Sequence, residues 1–362
     1  MAQTNTISYS FGQDKKSAVQ AKFDAQKIAF APIMFQAARS LLNFGILKLI
    51  QNYQEKGISL VEIAEQLKID IYGVKVLLEA GLSLEIVYIK DGLFLLTKTG
   101  WFLLNDELTR VNIDFINDIN YLGAFKLDES IKSGKPEGLK VFGEWDTIYE
   151  ALSELPEKAK ESWFNFDHYY SDIAFPDVLP IIMQDNPKKG MDVGGNTGKF
   201  AIKCAEYNKD VKITILDLSG QLNVAKENIK EKGFESQVDG FPMDLLDHSK
   251  VFPKGYDFVW MSQFLDCFSQ ADILELLKRG KAALNETGAL YILETYWDKQ
   301  DYKASTYSLH ATSLYFTCMA NGCSQMYHHT DMLKLIDEAG MKIDKEYERI
   351  GIGHTLYKCV PR

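Results

Sequence analysis

Across residues 190–218 the pattern of apolar and polar positions changes period twice. Residues 190–193 form a short strand-like run that stops at Gly194 and Gly195, whereas residues 199–207 carry Phe200, Ile202 and Ala205 at helical spacing. Residues 211–216 are again a continuous apolar run, closed by Asp217. The spacing predicts strand, glycine turn, helix and strand. The turn at 194–198 then offers bare backbone and helix-end N–H groups to a ligand. Asp217 follows Gly198 by nineteen positions, the place for a carboxylate that accepts hydrogen bonds from two ribose hydroxyls.

The alternation continues to the C-terminus. Residues 219–232 read as helix, 241–243 as the end of a strand closed by Asp244, 256–261 as a nearly continuous apolar strand, 270–283 as helix and 289–293 as a strand closed by Glu294. Helical patterns at 303–320 and 330–340 and two closing strands at 341–348 and 354–360 follow. Strands alternating with helices predict an α/β fold with a doubly wound, Rossmann-like parallel sheet. Asp217, Asp244 and Glu294 then share the carboxyl ends of successive strands, where such sheets bind ligands.

The first part of the chain is different. Residues 1–25 are mixed and polar and read as a loosely held arm. Ile33, Ala37, Leu41 and Phe44 recur at helical spacing, with Pro32 suited to a first helical turn and Gly45 as a break; a second helix spans 46–53. Residues 59–100 read as a winged helix: Ser59 and Glu62 form a capping box, 71–80 is a helix stopped by Gly81, and 84–89 and 93–97 form a hairpin about the turn at 90–92. This wing carries four lysines against six acids, the wrong sign for tracking phosphates, so nucleic acid is not expected as a partner. The expected division is a helical winged-helix dimerisation domain at 1–112 and a ligand-binding domain at 113–362, with the apolar stripes of the first domain pairing two copies.

Composition narrows the chemistry. The 362 residues are 46% hydrophobic, enough for a substantial core, and 50 acidic against 40 basic side chains leave a net charge of −10 that disfavours a polyanionic partner. Five cysteines without C-x-x-C spacing suggest neither a disulfide framework nor a metal site, and no signal peptide or membrane span is visible, so a cytoplasmic protein is expected. Trp163, Phe164, Phe166, His168, Tyr169 and Tyr170 crowd one segment; that density exceeds one buried helix face, so some of them should line a cavity for a planar ligand, the alternative being an aromatic seam between domains.

The turn is not G-x-G-x-x-G. Asp192, Gly194, Gly195 and Gly198 instead give D-x-G-G-x-x-G, which resembles motif I of class I S-adenosylmethionine (SAM) methyltransferases. From about Phe30 to the end the chain resembles the two-domain O-methyltransferase family that includes plant caffeic acid and acetylserotonin methyltransferases and bacterial polyketide-tailoring relatives. The resemblance implies SAM as cofactor, S-adenosylhomocysteine as product, a small-molecule acceptor and a homodimer. It places Asp217 and Leu218 at ribose and adenine, Asp244 and Leu245 around the adenine, and Phe164 against SAM. His168 falls beside the methyl group. Asn321, in the sequence Ala320-Asn321-Gly322, and Tyr327 and His310 fall on the acceptor side.

The chemistry departs from that family at one point. Its H-D-W-S-D motif supplies a histidine base, and the matching residues here are Asp266, Cys267, Phe268, Ser269 and Gln270. Asp266 therefore stands in for the base, and Glu294 falls on the family's supporting glutamate. An exposed aspartate, ionising near pH 4, is a poor base for a phenol. Burial and a second carboxylate could raise it, and Asp266 and Glu294, sharing one proton, could still accept a phenolic proton. Asp266 could instead be only a cap or an orienting group, and His168, His310, His328 and His329 are rival bases. Three functions remain open: methyl transfer to oxygen, or less readily nitrogen, of an aromatic or polyketide-like acceptor; another reaction on bound SAM; and a non-catalytic regulatory dimer.

Overall fold

The computed structural model describes residues 11–362, which divide into two compact units: Gln13–Asn117, and Asp118–Arg362 together with Phe11 and Gly12. The division falls later than position 112 because the preceding helix is tied to the start of the chain. Arg39 lies 3.9 Å from Asp114, and Gln36 Nε2 donates to Asn117 Oδ1 at 3.0 Å.

In the first unit, α1 (Ala18–Asn43) starts at Ser17, whose hydroxyl accepts from the Gln20 N–H. The expected arm over 1–25 therefore becomes helix from Ala18; residues 1–10 of it lie outside the described residues. Pro32 sits inside α1 rather than in its first turn. The alanine-rich sequence before it sustains the helix through the one N–H that proline lacks. Next come α2 (Ile46–Tyr53), α3 (Leu60–Leu67) with the Ser59–Glu62 capping box formed in both directions, and α4 (Ile71–Ser83). Gly81 does not stop α4. A Cβ there would lie 3.2 Å from both Leu41 Cδ1 and Val87 Cγ2, so this glycine admits close packing. The antiparallel hairpin β1 (Val87–Lys90) and β2 (Leu93–Leu96) turns through Asp91 and Gly92, both at positive φ, as a two-residue primed turn requires. Helices α5 (Lys98–Asn105) and α6 (Glu107–Phe115) complete the unit. Leu41, Ile46, Leu47, Ile50, Ile63, Val74, Leu78 and Phe94 form its core.

The second unit opens with helices α7 (Leu127–Ser133), α8 (Ile148–Ala151), α9 (Glu157–Asp172) and α10 (Phe175–Met183). Then β3 (Lys189–Val193), α11 (Lys199–Tyr207), β4 (Lys212–Asp217), α12 (Ser219–Lys232) and β5 (Val238–Pro242) make the first half of the sheet. The second half is β6 (Tyr256–Ser262), α13 (Gln270–Ala283), β7 (Leu284–Glu294), α14 (Lys303–Tyr315), α15 (His329–Glu338), β8 (Met341–Ile350) and β9 (His354–Pro361). The strand order is β5-β4-β3-β6-β7-β9-β8; β3 to β7 are parallel, and β9 runs antiparallel between β7 and β8.

Both faces of this sheet are covered, which is why its central strands read as unbroken apolar runs. Along β6, Val259 and Met261 join the core beneath α13 and α15, while Phe258 and Trp260 join the core with α10 to α12. Phe200 of α11 stacks on Trp260 at 4.4 Å between ring centroids, fixing the helix that follows the glycine turn. The strand order reverses between β3 and β6. The crevice at their carboxyl ends is where a doubly wound sheet binds its ligand.

Candidate active site

The glycine turn after β3 is held by the end of β4. Gly194 N–H donates to the Leu216 carbonyl at 2.8 Å, and the Asp217 carboxylate accepts from Asn196 N–H at 2.8 Å and from Leu218 N–H at 2.7 Å. Gly194 and Gly198 have φ of 73° and 78°. A side chain at Gly194 would also run into the Phe264 ring at 2.2 Å, and one at Gly195 would meet the Asp192 carboxylate at 2.7 Å. The three glycines are therefore demanded by geometry.

A cleft opens above this turn, lined by Asp192, residues 194–197, Lys199, Trp260, Ser262 and Gln263 on the sheet side and by Asp167, His168, Ser171 and Asp172 of α9 opposite. Four buried side-chain atoms on its wall have no hydrogen-bond partner: Asp192 Oδ2, Thr197 Oγ1, Ser262 Oγ and Gln263 Nε2. Buried polar groups are normally paired, so this wall suits a ligand rich in donors and acceptors, such as the amino-acid end of SAM. Burial, and then Asp217, pushes the Asp192 carboxyl up to about 8. Burial pushes Asp217 up to about 6 against the pull of its two backbone N–H donors.

A second pocket adjoins the cleft. Tyr149, Trp163, Phe166, Tyr170, Leu309, Tyr315, Phe316 and Met326 give it aromatic and apolar walls, and Asp167, Gln263, Asp266, Cys267, Thr295 and Thr312 supply its polar groups. Trp163, Phe166 and Tyr170 thus bring part of the aromatic segment to a cavity, and Trp163 Nε1 donates to Tyr315 Oη at 2.8 Å. Asp167 and Gln263 line both spaces.

Asp266 lies in a short 3₁₀ turn, Leu265–Cys267, and is 8% exposed. Burial pushes its carboxyl up to about 6, while the Cys267 thiol, donating at 3.5 Å, opposes the shift. Glu294 does not share a proton with it through a hydrogen bond. Glu294 Oε1 accepts from the N–H groups of Phe264 at 3.1 Å and Leu265 at 2.9 Å, and Oε2 has no partner. Burial, and then Asp266, holds the Glu294 carboxyl well above its ordinary value. Its position clamps the backbone just ahead of Asp266.

Asn321 and Tyr327 brace the same segment from behind and do not line the acceptor pocket. Asn321 Nδ2 donates to the Cys267 carbonyl at 2.7 Å, and Tyr327 Oη donates to the Phe268 carbonyl at 2.6 Å. His168 lines the cleft instead of the pocket, with the Phe164 ring stacked on it at 5.8 Å; Phe164 itself lies outside both linings. His310 is exposed on α14, against Trp297 at 4.9 Å. Leu218 caps α12, Leu245 is buried in the core, and Asp244 is exposed, accepting from Leu246 N–H at 3.0 Å. His328, His329 and Asp298 cluster near the start of α15 within 4.8 Å of one another, and none of the three lines the cleft or the pocket. Asp167 was not singled out from the sequence, since an acid inside an aromatic segment gives no signal until the fold brings it to the glycine turn.

The raised carboxyls carry a consequence for stability. Asp217, Asp266, Asp167 and Asp192 rise to about 6, 6, 7 and 8, so each holds its proton in the folded chain at pH values where the unfolded chain has lost it. Stability contributed in this way is present at low pH and lost as pH rises through the folded values. His354, lowered to about 4 by burial, acts in the opposite sense, but only below its unfolded value. Calorimetric melting of the ligand-free protein should therefore fall by about 2–4 °C or more between pH 6.5 and 8.5. Asp192→Asn should remove part of that fall, and a flat or rising melting temperature would contradict the assignment.

Comparison with known proteins agrees with this geometry. Residues 22–94 match the Dimerisation2-like domain, and residues 125–342 match the O-methyltransferase domain. A bacteriochlorophyllide d C-20 methyltransferase of Chlorobaculum tepidum is 22% identical over 232 residues, 61% of this chain and 63% of that protein. A demethylspheroidene O-methyltransferase of Rhodobacter capsulatus is 24% identical over 239 residues, 65% of this chain and 57% of that one. The chain thus spans less than two thirds of the length of these relatives. The solved S-adenosylmethionine-dependent methyltransferase SibL shares the fold with a TM-score of 0.71 and 22% identity, covering 93% of this chain and 98% of that one. With more than half of its length matched by that one domain, the chain belongs to the O-methyltransferase domain family.

Proposed function

We propose that this chain transfers a methyl group from SAM to an oxygen, or less readily a nitrogen, of a small aromatic or polyketide-like acceptor. The observation that carries the reading is the shared wall: Asp167 and Gln263 line both the glycine-turn cleft and the aromatic pocket, so ligands in the two spaces meet there. SAM, when bound, supplies an electrophilic methyl on a sulfonium. We assign the ribose hydroxyls to Asp217, which ends β4 beside the cleft lining and keeps lone pairs free beyond its bonds to Asn196 and Leu218 N–H, and the amino-acid end to the bare glycine turn with Asp192, Ser262 and Gln263. The aromatic walls clamp a planar acceptor. Holding the reacting atoms in line is worth about 7 kcal/mol or more.

Asp266 faces the acceptor pocket and is the carboxylate we assign to receive the acceptor's proton. Glu294, Asn321 and Tyr327 fix its backbone. The absence of a histidine in that place is also compatible with a different reaction on bound SAM, and the variants below separate the two readings.

We also assign the first unit to homodimer formation. Its match to a Dimerisation2-like domain supports this, as do Val19, Ile28, Phe30 and Ile33 of α1, all more than half exposed. No single helix among the described residues is long and apolar enough to cross a membrane. Five free cysteines, three of them buried, suit a reducing compartment, and we place the protein in the cytoplasm.

In calorimetric titrations SAM and S-adenosylhomocysteine should bind and NADH should not, and Asp217→Ala should weaken SAM by about 1–3 kcal/mol. Saturable NADH binding without SAM binding would sink the cofactor assignment. With a phenolic acceptor, Asp266→Asn should lower turnover by about a hundredfold or more, and Asp266→His should retain it. If neither the native chain nor Asp266→His consumes SAM with any acceptor, another reaction on SAM becomes the better reading. Light scattering at micromolar concentration should return twice the chain mass; a monomer would refute the dimer.

A further inference from the structure

We infer that Asp167 and Asp266 together make an anionic end to the acceptor pocket, one that takes a planar acceptor presenting an O–H or N–H and rejects an acceptor bearing a carboxylate. The inference rests on the methyl-transfer reading of the pocket and adds the acceptor's chemical class and a second acid in contact with it.

Both acids line the pocket, and no lysine, arginine or histidine among the described residues does. Asp167 is held in place from the cofactor side. Its Oδ2 accepts from Asn196 Nδ2 at 3.1 Å, and the backbone N–H of the same asparagine donates to Asp217 at 2.8 Å. One hydrogen-bonded line thus runs from the ribose-side acid, through the glycine turn, to the acid at the pocket wall. The charged and titratable groups facing Asp167 are Asp266 and Cys267 from the turn after β6, Tyr315 of α14, His168 and Asp172 on its own helix, and Lys199 at the start of α11. Those facing Asp266 are Asp167, Cys267, Glu294 at the end of β7, and Tyr149, Tyr296, Tyr315 and Tyr327. Lys199 is committed to Asp172 at 2.7 Å and lines the cleft rather than the pocket, so it offers an acceptor no counter-charge. Burial lowers His168, which favours its neutral form.

A carboxylate entering this pocket would meet two acids and no cation. Like charges brought together in a desolvated pocket oppose binding, whereas a hydroxyl or amine would point its hydrogen at a carboxylate oxygen and find a partner for it. Asp167 also reaches the boundary of the two spaces, where the acceptor atom to be methylated must lie. Burial, and then Asp266, pushes Asp167 up to about 7, so the pair carries less than its full charge near neutrality and either member can take up the acceptor's proton.

The test uses two probes of nearly equal shape, 2-naphthol and 2-naphthoate, titrated calorimetrically into the full chain with and without S-adenosylhomocysteine. At pH 8 naphthol should bind at least tenfold tighter than naphthoate. Asp167→Asn and Asp266→Asn should each tighten naphthoate at least threefold, with melting curves checking that the variants fold. In the native chain, naphthoate should also tighten at least threefold between pH 8 and 5.5, as the two acids take up protons while the probe stays ionised; this arm needs no variant. Naphthoate binding as tightly as naphthol at pH 8, naphthoate affinity indifferent to pH and to both substitutions, or no binding of either probe would overturn the inference. Failure of S-adenosylhomocysteine to bind while the probes still discriminate would instead overturn the methyl-transfer reading and leave the anionic pocket standing.

Discussion

The Asp217 carboxylate, holding the N–H groups of Asn196 and Leu218, is the contact on which the rest of the site depends. It sets the glycine turn against the end of β4 and keeps Asn196 at a φ of 48°, a conformation asparagine tolerates better than most residues. Asn196, so placed, presents its side chain to Asp167 and ties α9 to the sheet. Without Asp217 the turn would keep the Gly194 bond to Leu216 but lose the one that fixes Asn196, and the wall common to cleft and pocket would lose its register with it. An acid whose family role is to meet the cofactor's ribose is therefore also a structural fastener, and its burial, which raises it to about 6, is the energetic cost of that position.

The turn that carries Asp266 is fastened from three sides by groups outside the pocket. Glu294 holds the N–H groups ahead of it, while Asn321 and Tyr327 take the carbonyls of Cys267 and Phe268 behind it. Such bracing leaves the Asp266 carboxylate few alternative positions, which would matter more for a carboxylate acting as base than for an imidazole. Weak intrinsic basicity must be offset by burial and by exact placement against the acceptor. Glu294 serves this end by geometry. Its effect on Asp266 is carried by backbone hydrogen bonds and by charge, with no direct hydrogen bond between the two carboxyls.

Much of the fold was legible because local pattern and final environment agree. The continuous apolar run in β6 reflects a strand covered on both faces, the capping box at Ser59 formed as written, and the Lys-Asp-Gly sequence turned the hairpin. Helix limits at Ser219 and Lys232, and at Gln270 and Ala283, fall where the spacing placed them. The failures lie where distant parts of the chain decide. Gly81 reads as a helix stop until Leu41 and Val87 are packed against it, and Pro32 reads as a first turn until Ser17 starts the helix a dozen or so residues earlier. In the site, the glycines and Asp217 were legible from a short motif. Asp167 was not, because its meaning comes from Asn196, 29 positions away, and from Asp266 in the turn after β6. His310 failed for the opposite reason: helical spacing sets which face of α14 a residue occupies, and that face is exposed.

The cleft gathers acids that its own lysine only partly balances. Asp192, Asp167 and Asp172 line it with Lys199 as the single lysine among the described residues, and Asp192 and Asp167 are raised to about 8 and 7 in its ligand-free form. A wall of this kind binds best what brings positive charge into it, because an opposite charge stabilises the ionised carboxylates and restores their ordinary acidity. A sulfonium donor carries such a charge and its thioether product does not. The same acids that favour entry of the donor would then hold the product less firmly and take up protons as the charge disappears. In the proposed reaction, proton uptake by Asp167 or Asp266 from the acceptor would run in that direction, so the electrostatics of cofactor release and of acceptor deprotonation would reinforce one another on the wall where the two spaces meet.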